Sequence, residues 1–531
     1  MVQATQYDAV VVGGGFAGLY ALQKLRGLGL SVRLYEAGDG VGGTWFWNRY
    51  PGARVDIQSL EYSYQFDEDL QQDWVWSERF APQAELLAYA NHVADRFKLW
   101  PDIQLNTRVG ACRFDDAEGV WRVETGQGES VSATYLVMAT GCLSAANMPN
   151  FPGQGSFKGR TFHTGRWPKD AVDFTGRRVG VIGTGSSAIQ SIPMIAAEAA
   201  HLTVFQRTAN YSVPAHNGPI PDEVVRDVKS RYPAYRAANN ATFAGADWDA
   251  RPDCAMEQTP EERTAEYERR WAKGGLSFYA SFVDLLVDPA ANETAAEFIR
   301  GKIRGIVKDP AVAEMLCPTT FVGCKRLCVD TGYYATYNRP NVTLVDVRAA
   351  PIEAITPAGL RTADGAEYQL DDIVFATGFD AMTGPLTRMD IRGKGGVAIQ
   401  DAWAEGPKNY LGLCVAGFPN LFTIAGPGSP SVLSNMLVSI EQHVNLIGDI
   451  VAYLRANGLS RIEPETPAQE AWVAHVNEVA GSTILPTCNS WYLGANIPGK
   501  PRVFMPYLGF APYLAKCADV AAKGYEGFAL S

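Results

Sequence analysis

Two glycine-rich turns, each set between an apolar strand and a helical run, constrain this chain more than any other feature in it. The first follows residues 7–12 and reads Gly13-Gly14-Gly15-Phe16-Ala17-Gly18, after which Leu19, Leu22 and Leu25 recur at helical spacing. The second follows residues 178–182 and reads Gly183-Thr184-Gly185-Ser186-Ser187-Ala188, with Ile189 and Gln190 running into a helix. A strand, a G-x-G-x-x-G/A turn and a helix in that order bring backbone N–H groups and a helix N-terminus against a pyrophosphate. The pattern predicts an α/β fold with two Rossmann-like dinucleotide-binding domains, and 531 residues are enough for both.

The strand after each turn says which nucleotide it serves. Residues 31–35 end at Glu36, about 20 residues beyond the first glycines, where a carboxylate accepts from ribose hydroxyls and repels a 2′-phosphate. Residues 202–206 end instead at Arg207-Thr208, and a guanidinium with a hydroxyl suits that phosphate. FAD is expected on the first unit and NADPH on the second. Each unit closes on an apolar strand ending in Ala-Thr-Gly, at 139–141 and at 376–378.

Between the glycine turns and beyond them lie the segments that carry chemistry. The loop Gly42-Gly43-Thr44-Trp45-Phe46-Trp47, continuing through Tyr50-Pro51-Gly52 to Asp56, is too rich in glycine and aromatic rings for a surface helix. It can lie along a flat ring system, and Asp56 needs a cationic partner there. In residues 324–328 two adjacent cations, Lys325 and Arg326, sit among apolar residues. Neighbours in an extended segment point to opposite faces, so Lys325 is expected toward the nicotinamide nucleotide and Arg326 toward the flavin. Residues 216–324 read as a helical insertion, with a capping box at Thr259-Pro260-Glu261-Glu262 and a second helix opened by Asp288-Pro289. Residues 420–427 return the chain to the flavin domain ahead of a helix near Met436, and 490–500 form an aromatic loop fit for a lid. The expected division is an FAD domain in two pieces (1–145 and 381–531) and an NADP domain in two (146–215 and 325–380) around the insertion.

Composition narrows the partners. A formal charge of −11, from 46 basic and 57 acidic side chains, argues against a nucleic-acid binder. No stretch of about 18 apolar residues and no cleavable leader stands out, so no membrane segment and a cytoplasmic location are expected. The nine cysteines are odd in number and irregular in spacing, which predicts free thiols. Cys324 and Cys328 are the nearest pair, and without a second pair or a nearby His no metal site is expected.

Residues 157–168, between the two units, read F-x-G-x-x-x-H-x-x-x-W-P: Phe157, Gly159, His163, Trp167 and Pro168. With Gly43-Thr44-Trp45, Tyr50-Pro51-Gly52, Asp56, both glycine turns, Gln206-Arg207-Thr208, Lys325-Arg326 and Ser490-Trp491, it makes nearly the whole chain resemble the type I Baeyer–Villiger monooxygenases. That resemblance implies an enzyme in which NADPH reduces FAD, dioxygen gives a flavin C4a-peroxide, and the peroxide inserts oxygen beside a ketone carbonyl to yield an ester or lactone. It implies sulfoxidation as a side activity, and no protein partner. It implies Arg326 as the essential cation and Asp56 as the acid that positions it. It assigns FAD contacts to Gly13, Gly15, Ala17, Gly18, Glu36, Thr44 to Trp47, Asp56, Tyr62, Val109 and Met436. NADP contacts fall on Arg54, Thr184, Gly185, Ser186, Ser187, Ala188, Ile189, Gln190, Arg207, Thr208, Lys325, Arg326 and Trp491. The fingerprint itself reads as a hinge, with His163 orienting the joint between the domains.

Three rivals share parts of this pattern. A flavin monooxygenase acting on sulfur or nitrogen has both nucleotide folds, but its linker lacks the Trp167-Pro168 ending. A pyridine-nucleotide disulfide reductase needs a redox cysteine pair beside the flavin, and residues 36–56 contain no cysteine. A non-catalytic flavoprotein redox sensor leaves Lys325-Arg326 without a task.

Overall fold

The computed structural model describes residues 5–503 and 506–531. Strand β1 (Thr5–Val12) runs into helix α1 (Phe16–Gly27) and strand β2 (Val32–Tyr35), the first βαβ unit. β1 lies between β2 and the long strand β3 (Ser130–Met138), parallel to both. Strands 120–125 and 109–115 extend this sheet antiparallel, 390–392 adds an edge, and 421–423 brings the late chain back against β3. The second unit repeats the pattern with β4 (Arg178–Ile182), α2 (Ser186–Glu198) and β5 (His201–Gln206). Its five strands are all parallel, with β6 (Asp372–Phe375) beside β4 and residues 342–346 beside β5.

The same close approach closes both units. A Cβ on Gly13 would meet the Ala139 carbonyl oxygen at 2.5 Å, and one on Gly183 would meet that of Ala376 at 2.5 Å. Both glycines sit at positive φ, 111° and 114°. Each Ala-Thr-Gly strand end therefore lies directly under its nucleotide turn, a fit that only a residue without a Cβ permits.

The fingerprint segment differs from a free linker. Residues 160–163 are the edge strand of the second sheet, with His163 in register with Phe375. Phe162 stacks on Trp167 at 5.1 Å, and Lys169, just past Pro168, pairs with Asp39 of the first unit. An extended, β-branched and aromatic stretch beside an unfilled parallel edge satisfies its backbone by joining the sheet.

The insertion is helical as its caps predict. Thr259 and Glu262 close a capping box on 260–273, and Asp288 caps 289–306 through the Ala290 N–H. Arg236, on the helix Tyr232–Asn240, ties this segment to the first unit by donating to the Glu61 carbonyl, Ser63 Oγ and Gln71 Oε1.

Helix α3 (Met436–Ala456) packs on α1 and carries Glu441 into this interface. Its Oε1 accepts the N–H groups of Gln65 and Phe66 at 2.7 and 2.9 Å, while Oε2 has no partner among the described residues. Burial pushes this carboxyl up to about 7 from an ordinary 4.5. A carboxyl raised in the folded state is protonated there between those values and ionised in the unfolded chain, so its contribution declines as pH climbs from about 4.5 to about 7. Glu441→Gln is therefore expected to narrow the drop in thermal midpoint between pH 5 and pH 8, as scanning calorimetry would show.

Candidate active site

Helices α1 and α2 both begin at a glycine, Gly15 and Gly185, that provides no side-chain cap, and neither has an acid in its first turn. Their leading N–H groups are thus available to phosphate oxygens, with no acid in the first turn of either helix to repel them. Glu36 is buried at the end of β2, with Oε2 accepting the Gly14 N–H and Oε1 the Gly38 N–H, both at 2.7 Å. A carboxylate locked against the turn has lone pairs left for ribose hydroxyls. Ala17 and Gly18 are buried in the first turn of α1. Gly18 packs so tightly that a Cβ would overlap the Gly13 carbonyl.

Thr44–Trp47 form one helical turn in which Trp45 and Phe46 are buried and Trp47 is half exposed. The Trp45 indole donates to the Tyr62 hydroxyl at 3.3 Å. Val109 packs in one apolar cluster with Val12, Tyr35 and Met138, and Met436 joins another with Trp491, Tyr492, Val432 and Leu433. The structure brings Thr44–Trp47 and Tyr62 together, and Val109 opens the strand just after Thr107, whose N–H donates to the Glu36 carbonyl at 2.8 Å.

On the second unit Thr184 donates to the Thr208 carbonyl at 2.8 Å, fixing the turn against the end of β5. Burial first, and then the neighbouring Arg207 charge, push Lys325 below its usual range. Among the described residues neither Arg207 nor Lys325 pairs with a carboxylate, although 36 other ion pairs are formed. Two cations held close without an anion mark a place where a ligand supplies the negative charge. Gln190 accepts from the Tyr50 hydroxyl at 2.9 Å and donates to the Arg54 carbonyl at 3.1 Å, joining α2 to the first unit. The Arg54 guanidinium itself is held by Glu78 at 2.8 Å and the Phe80 carbonyl at 3.0 Å. Ser186 and Ser187 hydroxyls meet Cys328 Sγ and Thr164 Oγ1, so these contacts also lean on the fingerprint segment.

Arg326 meets Asp56 across the junction of the two units. Its Nε and Nη2 donate to Asp56 Oδ2 and Oδ1 at 2.5 and 2.9 Å, and Nη1 donates to the Val432 carbonyl at 2.6 Å. Burial opposes this charge, but the Asp56 carboxylate more than offsets it and holds Arg326 above its usual range. The guanidinium is bidentate, fixed and unable to lose its proton. Two of its five N–H bonds remain, one on each terminal nitrogen, with the Tyr492 hydroxyl beside them. Tyr279, from the insertion, accepts the Leu327 N–H at 2.7 Å. Burial keeps both tyrosines protonated, well above their ordinary value for Tyr279 and opposed by Arg326 for Tyr492.

His163 is buried at the end of its edge strand. Nδ1 accepts the Gly165 N–H at 3.0 Å, which places the ring proton on Nε2, facing the Asn147 carbonyl and Thr377 Oγ1 at 3.3 Å each. Burial lowers its basicity, so it stands as a neutral clip between the two chain crossings and the second Ala-Thr-Gly strand.

The cysteines depart from expectation. Cys324 and Cys488, 164 residues apart, are joined by a disulfide, and the other seven are free. Free thiols were expected throughout, whereas the fold carries the C-terminal loop onto the Arg326 segment and sets Cys488 against Cys324. Tyr279 and Tyr492 escape sequence reasoning too. Tyr492 adjoins Trp491 in a motif and was within reach, but nothing in the insertion singles out Tyr279.

Residues 10–231 match the model of the pyridine nucleotide-disulphide oxidoreductase family. Over 98% of its length this chain is 44% identical to a Baeyer–Villiger monooxygenase of Pseudooceanicola batsensis, covering 95% of that protein. This chain belongs to the Baeyer–Villiger monooxygenase family. It is also 43% identical to a phenazine N-monooxygenase of Lysobacter antibioticus, over 99% of this chain and 97% of that one. Among solved structures, an oxidised steroid monooxygenase bound to NADP superposes with a TM-score of 0.95 at 51% identity, over 99% of both chains. No helix among the described residues is long and apolar enough to cross a membrane, and no group of three or more metal-ligating side chains occurs among them.

Proposed function

We propose that this monooxygenase converts a ketone to an ester or lactone, consuming NADPH and dioxygen and releasing NADP and water. The observation that carries the reading is the Arg326 guanidinium, doubly bonded to Asp56, with two N–H bonds left over at the junction of the nucleotide units. FAD fits the first turn and Glu36, and NADPH the second turn, Arg207, Thr208 and Lys325. When bound, the flavin carries electrons from NADPH to dioxygen.

The protein's own groups do the rest. Negative charge develops on oxygen as a peroxide attacks a carbonyl, and a fixed cation with free donors stabilises it in a site screened from water. Asp56 holds the guanidinium in one orientation, and the Val432 carbonyl fixes its other end. Lys325 and Arg207 hold the nucleotide, while Trp491 and Tyr492 wall the site on the side of the C-terminal loop. The make-up of the two sheets supports flavin-binding pieces at 1–145 and 381–531 and NADP-binding pieces at 146–215 and 325–380, around the insertion.

The phenazine N-monooxygenase relative favours a second reading, oxygen transfer to nitrogen or sulfur. Incubating the holoenzyme with NADPH, oxygen and a ketone, a sulfide or an aromatic amine in turn decides between them by product identity. An ester as the dominant product upholds the first reading, and an N-oxide or sulfoxide as the only product overturns it.

His163 is a positioning residue in this reading. His163→Ala is expected to slow turnover while FAD stays bound, and His163→Gln, which keeps an acceptor for Gly165 and a donor for Asn147, should recover much of the loss. Release of FAD from the alanine variant, seen in the visible spectrum of the desalted protein, would show the residue to be structural instead.

A further inference from the structure

The Cys324–Cys488 bond joins the two segments that border the reacting site. Cys324 stands two residues before Arg326, and Cys488 three before Trp491. Downstream, the same C-terminal loop is held without covalent bonds. Asn496 donates to the Phe379 carbonyl at 2.7 Å, and Lys500 donates to Asp380 Oδ1 and the Ala381 carbonyl, both at 2.6 Å. Hydrogen bonds of this kind break and reform with loop motion, whereas a disulfide does not. The cysteine pair therefore decides whether the loop can lift away from Arg326.

We propose that Cys324 and Cys488 form a peroxide-responsive dithiol that pins the C-terminal loop over the site and slows turnover when oxidised. The inference rests on the oxygenase reading, which also names the oxidant. When no ketone accepts the oxygen, NADPH, a proton and dioxygen yield NADP and hydrogen peroxide, released beside this very pair. One thiolate attacks the peroxide, the O–O bond breaks, and the departing hydroxide takes up the proton the thiol had released, leaving a sulfenic acid and water. The second thiolate attacks the sulfenic sulfur, the S–O bond breaks, and a second water leaves with the disulfide in place. Two thiols and one peroxide thus become one disulfide and two waters. Cys324 and Cys488 are only 4% and 5% exposed, so the oxidant must be small, as hydrogen peroxide is, and a bulky disulfide such as oxidised glutathione is shut out. A dithiol reductant acting on the opened loop reverses the step.

The test takes the FAD-loaded full chain after dithiothreitol and again after hydrogen peroxide, with both reagents removed. Thiols titrated in denaturant should number nine in the first state and seven in the second, with the lost pair mapped by mass spectrometry to the peptides of Cys324 and Cys488. Tryptic cleavage after Arg502 should slow on oxidation, and ketone turnover should fall several-fold and return with dithiothreitol. Cys488→Ser and Cys324→Ser, tested separately so that a folding defect in one leaves the other to decide, should keep their turnover after peroxide. Nine thiols after peroxide overturn the proposal, and so do seven thiols with proteolysis and turnover unchanged. A reduced enzyme that makes no ester from any ketone defeats the oxygenase reading instead, a result the thiol count leaves separate.

Discussion

Arg326→Ala is expected to depress ester formation by about 10²–10³-fold, the loss typical when a preorganised donor to a developing oxyanion is removed. Reduction of the flavin by NADPH should persist in the same variant, because Glu36, both glycine turns and the Arg207–Lys325 pair are untouched. Stopped-flow bleaching of flavin absorbance under anaerobic conditions, paired with product quantitation in air, separates the two half-reactions. Arg326→Lys is the sharper control. An ammonium keeps the charge but cannot bind both Asp56 oxygens and the Val432 carbonyl in one plane, so it should restore little of the lost rate. Ester formation near the wild-type rate in either variant would sink the assignment of this arginine.

The Asp56–Arg326 pair also shows how far the sequence reaches. Local chemistry was enough to say that a charge among aromatic residues wants a cation, and Asp56 takes Arg326. Both glycine turns, the capping box at Thr259 and the helix start at Asp288 were legible because each depends on residues within a few positions of one another. What escaped was long-range. The edge-strand placement of residues 160–163 depends on β6, some 210 residues later, offering an unfilled edge. The Arg54 guanidinium is held by Glu78, and no pattern near either residue announces that partner. Cys488 reaches Cys324, and Tyr492 reaches Arg326, only because the last part of the chain folds back over the second Ala-Thr-Gly strand. Side chains that meet through tertiary folding leave no periodic trace, whereas turns, caps and phosphate cradles do.

Cofactor choice gives the other large effect. Arg207→Ala is expected to raise KM for NADPH by about 10–100-fold, the equivalent of one charge-assisted contact to the 2′-phosphate, while KM for NADH changes little. The free protein already shows why. Lys325 is pushed below its usual range by burial and then by the Arg207 charge, and no carboxylate among the described residues relieves that repulsion. A dianionic phosphate placed between the two cations relieves it on binding, so affinity for NADPH should fall as salt rises, and more steeply than affinity for NADH. Removing Arg207 takes away one contact and also eases Lys325, so the loss should be smaller than the sum of two independent cations. Arg207→Ala combined with Lys325→Ala measures that coupling as a double-mutant cycle on NADPH affinity alone. If the Arg207→Ala enzyme keeps both its NADPH affinity and its salt dependence, the 2′-phosphate is bound elsewhere and the strand-end rule fails for this chain.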